Sequence, residues 1–326
     1  MKIIIATDAW NQTNGVVTTL TALSENLKSM GHEVLMIVPD MFFTIPSIYP
    51  DVKLALPLLS RIKRIIENFK PDSIHIATEG PIGFQTRRYC VKNNLSFTTS
   101  YHTNFPEYFE WLSTDLSYRY LRWFHGRASS VLVTTQSMKW NLEQRGFENL
   151  SVWFRGVDLD KFKPSEIDIF EKYKYPVMLS VGRVSKEKNL EDFLKLSISG
   201  TKIVIGDGPM LDEYRRLYPN VVFLGKKIGK DLVDAYSSAD VFVFPSRTDT
   251  FGLVMLESMA CGTPVAAYPV TGPVDLVNNS SGYLSDDLYL AIMNALMLDR
   301  KIVRQYAEKF GWKEFAEKFL SNIVPI

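Results

Sequence analysis

The sequence predicts an α/β protein made of two doubly wound, Rossmann-like domains. Three observations lead there. Short β-branched runs alternate with helical patterns along the chain, the pattern of a parallel sheet with helices on both faces. The alternation breaks once, at the polar, Gly- and Pro-containing stretch RGVDLDKFKP (155–164), which reads as a linker. The 326 residues suit two domains at roughly 150 residues each.

The elements follow in order. Residues 2–7 (KIIIAT) read as the first strand, and 15–30 as a helix that stops at Gly31. Residues 33–38 form a strand, and 58–69 a helix closed by Pro71. Strands at 73–76, 97–100 and 131–133 are joined by helices at 82–93 and 137–144. The second series has strands at 177–181, 202–205, 221–224, 241–244 and 264–267, with helices between them. Residues 288–297 and 312–322 are helical. Ligands of open α/β sheets bind at the carboxyl ends of the strands, so two such sheets facing each other would form a deep cleft.

Composition narrows the class. Hydrophobic residues at 46% with 22% charged residues indicate a globular chain. A net charge of +1 argues against a nucleic-acid partner. Residues 1–155 carry 16 Lys and Arg against 13 Asp and Glu, so the N-terminal part is mildly basic. Cys90 and Cys261 sit in apolar helical patterns and read as buried thiols in a reducing compartment. Four His and no Cys/His cluster argue against a structural zinc site. The short apolar start reads as a strand rather than a signal peptide, and no run reaches a membrane-spanning length. These features suggest a cytoplasmic enzyme, peripheral to a membrane if it meets one.

The densest motif is PSRTDTFGLVMLESMACGTP (245–264). A strand ends, a polar loop carries Asp249, and a helix opens after Phe251-Gly252 at Leu253, with Glu257 inside it. A helix start presents unpaired N–H groups and partial positive charge, which suit phosphate. Ionised carboxylates accept hydrogen bonds from sugar hydroxyls. Phosphate beside polyol is the chemistry of a nucleotide sugar. In SVGRVSKEKNL, Arg183 and Lys188 follow a strand and could clamp a diphosphate, Arg as a fork and Lys as a point charge. A solvated loop is the plain alternative. IGDGP (205–209) reads as a tight turn. Asn14 and Gly15 open the first helix, either as an ordinary cap or as a close approach for phosphate. His102 follows a strand and could meet a sugar hydroxyl, or it could be an edge histidine. His32, His75 and His125 receive no role. The aromatic-basic segment 106–127, with Arg119, Arg122 and Trp123, and Arg87-Arg88 nearby could lie at a lipid interface or be core.

Together these motifs resemble the retaining glycosyltransferases of family four. The likeness rests on TDAWNQTNGVV, SYHTNF, RGVDLDKF, SVGRVSKEKNL, IGDGP and FPSRTDTFGLVMLESMACGTPV. It implies the GT-B fold: an acceptor-binding domain at 1–155, a nucleotide-sugar domain at 156–308, the two facing across a cleft, and a C-terminal helix at 309–326 returning to the first. It also implies site roles. Glu257 would bind ribose hydroxyls, and Asp249 would contact the donor sugar in place of the family's longer Glu. Arg183 and Lys188 would bind the diphosphate, as would the early loop at Asn14 and Gly15. The amides of Phe251, Gly252 and Leu253 would lie near the donor. His102 would be the cleft histidine. No metal or other cofactor is implied, because cations and helix starts offset leaving-group charge.

GPIGFQTRRYC and FTTSYHTNFPEYF look most like bacterial enzymes that glycosylate membrane lipids. The expected reaction is transfer of a hexose, first from UDP-glucose and second from GDP-mannose, to a lipid hydroxyl such as that of diacylglycerol. Arg87, Arg88, Arg119, Arg122 and Trp123 would face an anionic membrane. A soluble glycan or polyol acceptor is the alternative, and an inactive nucleotide-sugar scaffold is the alternative of another class. An NAD-dependent oxidoreductase is disfavoured, since no GxGxxG follows the first strand.

Overall fold

The computed structural model describes residues 1–10, 15–46, 53–102, 114–249 and 251–326. The chain divides into two units: Met1–Arg155 with Trp312–Ile326, and Gly156–Gly311.

The first unit runs β1 (Lys2–Ala6), α1 (Gly15–Ser29), β2 (Glu33–Ile37), β3 (Thr44–Pro46), β4 (Lys53–Ala55), α2 (Leu59–Phe69), β5 (Ser73–Ile76), α3 (Pro81–Lys92), β6 (Thr98–Tyr101), α4 (Thr114–His125), β7 (Ser130–Val133), α5 (Gln136–Gln144) and β8 (Leu150–Val152). Its sheet has the order β2-β1-β5-β6-β7-β8, with every neighbouring pair parallel. β3 and β4 form a separate antiparallel hairpin. Both faces of the sheet are covered, which explains the unbroken apolar run of β1. Ile4 and Ala6 pack on one side with Ile74, Ile76 and Val131. Ile3 and Ile5 pack on the other with Leu132 and Trp153.

The second unit runs β9 (Val177–Val181), α6 (Leu190–Leu194), β10 (Thr201–Ile205), α7 (Leu211–Leu217), β11 (Val222–Phe223), α8 (Gly229–Ser238), β12 (Val241–Phe244), α9 (Leu253–Ala260), β13 (Val265–Ala267), α10 (Pro273–Leu276), β14 (Gly282–Leu284), α11 (Leu288–Ala295) and α12 (Arg300–Ala307). Its sheet, β11-β10-β9-β12-β13-β14, is also parallel throughout. The same period of two sorts its side chains. Phe242 and Phe244 enter one core, Val241 and Val243 the other.

The final helix, α13 (Trp312–Leu320), belongs to the first unit. Its Phe315 stacks on Trp153 at 4.4 Å, and the Trp153 indole N–H donates to the Phe315 carbonyl at 3.1 Å. The Ile326 N–H donates to the carbonyl of Asp72 at 3.0 Å.

Candidate functional site

β9 and β12 are neighbours in the sheet, so the loops leaving their carboxyl ends meet. The Asn189 amide joins them, donating to the Pro245 carbonyl at 3.1 Å and to Asp192 Oδ2 at 2.7 Å. The Lys188 ammonium donates to both carboxylate oxygens of Asp249, at 2.8 Å each. The Lys188 side chain is 28% exposed and that of Asp249 18%, so the pair sits at the surface of the loop cluster, open to competition by a ligand. Arg183 is exposed, and its guanidinium has no hydrogen bond or ion pair among the described residues. Arg247 is held in place, with its guanidinium 3.7 Å from the Tyr268 ring centroid and 3.5 Å from Asp192.

Backbone geometry explains the glycines here. Gly252 precedes α9 with φ of 81°, and a Cβ on it would come within 2.7 Å of Met255 Cε and 3.1 Å of Phe244 Cζ. Phe251 beside it is buried in the core. No side chain caps α9, and its first turn, from Leu253, carries no acid. The Met255 N–H turns back onto the Gly252 carbonyl at 2.9 Å, and the partial positive charge of this helix start suits an anion. Gly206 plays a packing role: a Cβ there would lie 1.8 Å from the Gly182 carbonyl oxygen, on the loop that carries Arg183.

Glu257 is half-buried on α9 and accepts from the Tyr236 hydroxyl at 2.9 Å. Burial pushes its carboxyl above the ordinary range, while the Tyr236 hydrogen bond opposes this. Lys188, Asp249, Phe251, Gly252, Leu253 and Glu257 thus lie along β9, β12 and α9 in one unit, with Arg183 on the same β9 loop.

In the first unit, His102 follows β6 and is buried, with neither ring nitrogen hydrogen-bonded among the described residues. Burial, then Arg155, His75 and His125, holds it neutral. Gly15 opens α1, whereas Asn14 and residues 106–113 of the aromatic-basic segment lie outside the described residues. Of the residues expected at a lipid interface, Arg88, Arg119 and Trp123 are exposed. Arg87 is not available there. It is buried, donates to the carbonyls of Trp123 and Phe124 at 2.8 Å, and lies 3.9 Å under the Trp123 ring. It closes the carboxyl end of α4 instead. Arg122 is half-buried and donates to the Arg145 carbonyl at 2.9 Å. Both free cysteines are buried.

Asp8 carries a function the sequence reading missed. Its carboxylate accepts from the N–H of Ile82 at 2.8 Å and of Gly83 at 3.2 Å, and so caps α3 from the end of β1. Burial raises its pKa to about 6. The signal was present, since α3 starts at Gly80-Pro81 with no capping side chain of its own. His125 and Glu79 also pair, at 3.2 Å and both buried, and Thr99 meets the other ring nitrogen of His125 at 2.8 Å. Among the described residues no group of three His, Cys, Asp or Glu is arranged to hold a metal, and no helix is long and apolar enough to cross a membrane.

Comparison with known proteins matches residues 13–161 to the Glycosyltransferase Family 4 profile and residues 163–309 to the Glycosyl transferases group 1 profile. A GDP-mannose-dependent alpha-mannosyltransferase of Mycobacterium tuberculosis is 29% identical over 84% of this chain and 80% of its own length. The alpha-monoglucosyldiacylglycerol synthase of Streptococcus pneumoniae is 26% identical over 99% of this chain and 86% of its own. Anabaena HepE, solved with UDP, superposes with a TM-score of 0.74 over 98% of this chain and 99% of that one, at 17% identity. The two-domain, parallel-sheet architecture is the GT-B fold.

Proposed function

The chain belongs to glycosyltransferase family 4 and is a glycosyltransferase, and from that premise we propose that it transfers a hexose from a nucleoside-diphosphate sugar to a membrane-lipid hydroxyl, with retention at the anomeric carbon. UDP-glucose is the first donor and diacylglycerol the first acceptor. The acceptor draws support from the Streptococcus pneumoniae relative, which is named as a synthase of alpha-monoglucosyldiacylglycerol.

The observation that carries the donor half is the cation-and-helix arrangement on β9, β12 and α9. A diphosphate would take the Arg183 guanidinium, which has no partner to give up, and compete with Asp249 for Lys188. The start of α9, which carries no acidic residue in its first turn, would add the partial positive charge of a helix N-terminus. Once Lys188 has exchanged Asp249 for the diphosphate, these groups would stabilise the departing nucleoside diphosphate as its charge grows. The Glu257 carboxylate, steadied by Tyr236, would accept from ribose hydroxyls. Neutral His102 would offer one N–H and one lone pair to a hydroxyl.

The acceptor half draws support from the outward face of α3 and α4. The Phe84 and Trp123 rings lie 5.9 Å apart and both are exposed, with Arg88 and Arg119 exposed on the same two helices. Cations of this kind contribute about 1 kcal/mol each at an anionic surface. The chain is thereby read as peripheral to the membrane.

The test is transfer of radiolabelled sugar from UDP-glucose or GDP-mannose to diacylglycerol in mixed micelles, with and without excess EDTA, and NMR of the product anomer. An α-linked glycolipid formed at a similar rate with EDTA is expected. Transfer only to soluble glycans or polyols would overturn the lipid acceptor, and an inverted product would overturn retention. Loss with EDTA restored by magnesium would overturn metal independence.

A further inference from the structure

The β3–β4 hairpin has its polarity reversed. Ile45 pairs with Leu54, and the Leu56 N–H donates to the Phe43 carbonyl at 2.9 Å, so Phe43 and Leu56 also stand opposite each other. Residues two apart on a strand share a face, so these four side chains form one apolar surface. They are exposed: Phe43 by 73%, Leu56 by 50%, Ile45 and Leu54 by 38% each. Leu58, just beyond, is 70% exposed. The intervening Ala55 is buried in the core with Phe42. A two-stranded sheet on a water-facing surface normally shows polar residues outward. Here the outward face is the greasy one, a contiguous patch of the kind that marks an interaction surface.

Its border is cationic. α2 follows directly and turns Ile62 and Ile66 inward while leaving Arg61, Lys63 and Arg64 exposed. Glu67 is its one acidic residue. β4 and α2 both pack on α3, the helix that carries Phe84 and Arg88 outward, so the hairpin lies beside that helix. A second copy of the chain is a poor occupant. In a two-fold contact this patch would set its own cations against one another. Anionic lipid fits both parts, since apolar side chains enter the acyl boundary while Lys and Arg reach headgroup phosphates.

We propose that the β3–β4 hairpin, edged by Arg61, Lys63 and Arg64, is the element that inserts this protein into an anionic lipid surface. The proposal gives the lipid-acceptor reading its docking element and rests on that reading for its purpose.

The full chain is tested by co-sedimentation with phosphatidylcholine vesicles containing phosphatidylglycerol, across a salt series. Phe43→Ser with Leu56→Ser is expected to lower the partition coefficient at least about tenfold, because two apolar side chains leave the interface. Arg61→Glu with Arg64→Glu is expected to weaken binding at low salt, with the gap closing near about 1 M, where charge is screened. Turnover on a water-soluble short-chain diacylglycerol should stay at the wild-type level in both, which shows them folded. Wild-type-like binding of the Phe43/Leu56 variant while Trp123→Ser fails to bind would overturn the hairpin and leave the lipid reading intact. Absence of wild-type binding to these vesicles would overturn it too, as would a dimer in solution that the Phe43/Leu56 variant splits. Hairpin-dependent binding with no transfer to diacylglycerol would uphold the hairpin and defeat the acceptor reading.

Discussion

Replacing Asp249 by Asn should tighten binding of a nucleoside diphosphate while slowing sugar transfer. With no ligand bound, both Asp249 oxygens accept from the Lys188 ammonium at 2.8 Å. At an effective dielectric constant of about 20, two unit charges at that separation attract by roughly 6 kcal/mol before desolvation. Partial exposure of the two side chains, 28% and 18%, and the cost of removing them from water cut that several-fold. A net of about 1–1.5 kcal/mol remains for a diphosphate to overcome. Asn keeps the shape and an acceptor oxygen but removes the negative charge, so UDP or GDP should bind roughly 5- to 10-fold tighter. The same variant loses a charged acceptor for a donor hydroxyl, so kcat/KM should fall by about 10-fold or more. Isothermal titration with the nucleoside diphosphate, set beside steady-state kinetics, separates the two effects. Weaker or unchanged diphosphate binding in Asp249→Asn would refute the competition, and with it the placement of Lys188 on the diphosphate.

Glu257→Gln should cut kcat/KM by about 10- to 150-fold, the worth of roughly 1.5–3 kcal/mol in hydrogen bonds to a charged group. Its melting temperature should stay near wild type, since Gln can still accept from Tyr236, and unchanged donor kinetics would remove Glu257 from the ribose. Acid stability offers a separate check. The folded pKa of Asp8 is raised from 3.8 to about 6, so its contribution is full below the unfolded value and is lost as pH rises towards 6. His75 is held down at about 3, so its contribution is present above 6.5 and is lost as pH falls. Asp8 therefore offsets part of the histidine loss between about pH 6 and 4, and in Asp8→Asn the melting temperature should fall more steeply across that window. An equal slope in both proteins would show that the Asp8 carboxylate titrates normally.

Most of the fold was legible because its strands are buried on both faces. Residues 177–181 and 241–244 are almost wholly apolar, residues 73–76 carry Ile at every second position, and the structure ends those strands at the same residues. What was missed is short or reversed. β8 (LSV) and β14 (GYL) span three residues each, and Ser or Gly interrupts the apolar run. α12 lies behind a Leu-Asp cap and was hidden by its charged face, although Asp299 accepts from the Lys301 N–H at 2.7 Å as a helix cap. The β3–β4 hairpin alternates with the correct period, but its apolar residues point to solvent, so no rule that assigns apolar faces to the core could find it.

The site divides along the same line. Placements that depend on local sequence were readable: Gly252 stands directly before a helix start, and Lys188 and Asp249 lie on loops that follow strands, which the structure makes neighbours. Residues whose work depends on distant partners were not. Arg87 looked like a surface cation beside Arg88, and one step along the helix decides between them. Arg88 falls on the outward row with Phe84 and Lys92, whereas Arg87 turns inward to the last carbonyls of α4. Asp8 sits 74 positions before the Ile82 amide it accepts from. Its meaning lies in the missing cap at Gly80, where a side chain would strike the Asp8 carboxyl at 2.5 Å. An uncapped helix start in a sequence is thus a request for an acceptor from elsewhere, and in an α/β sheet the nearest supplier is the residue that ends a neighbouring strand. β1 and β5 are neighbours, and Asp8 follows β1 as Gly80 follows β5.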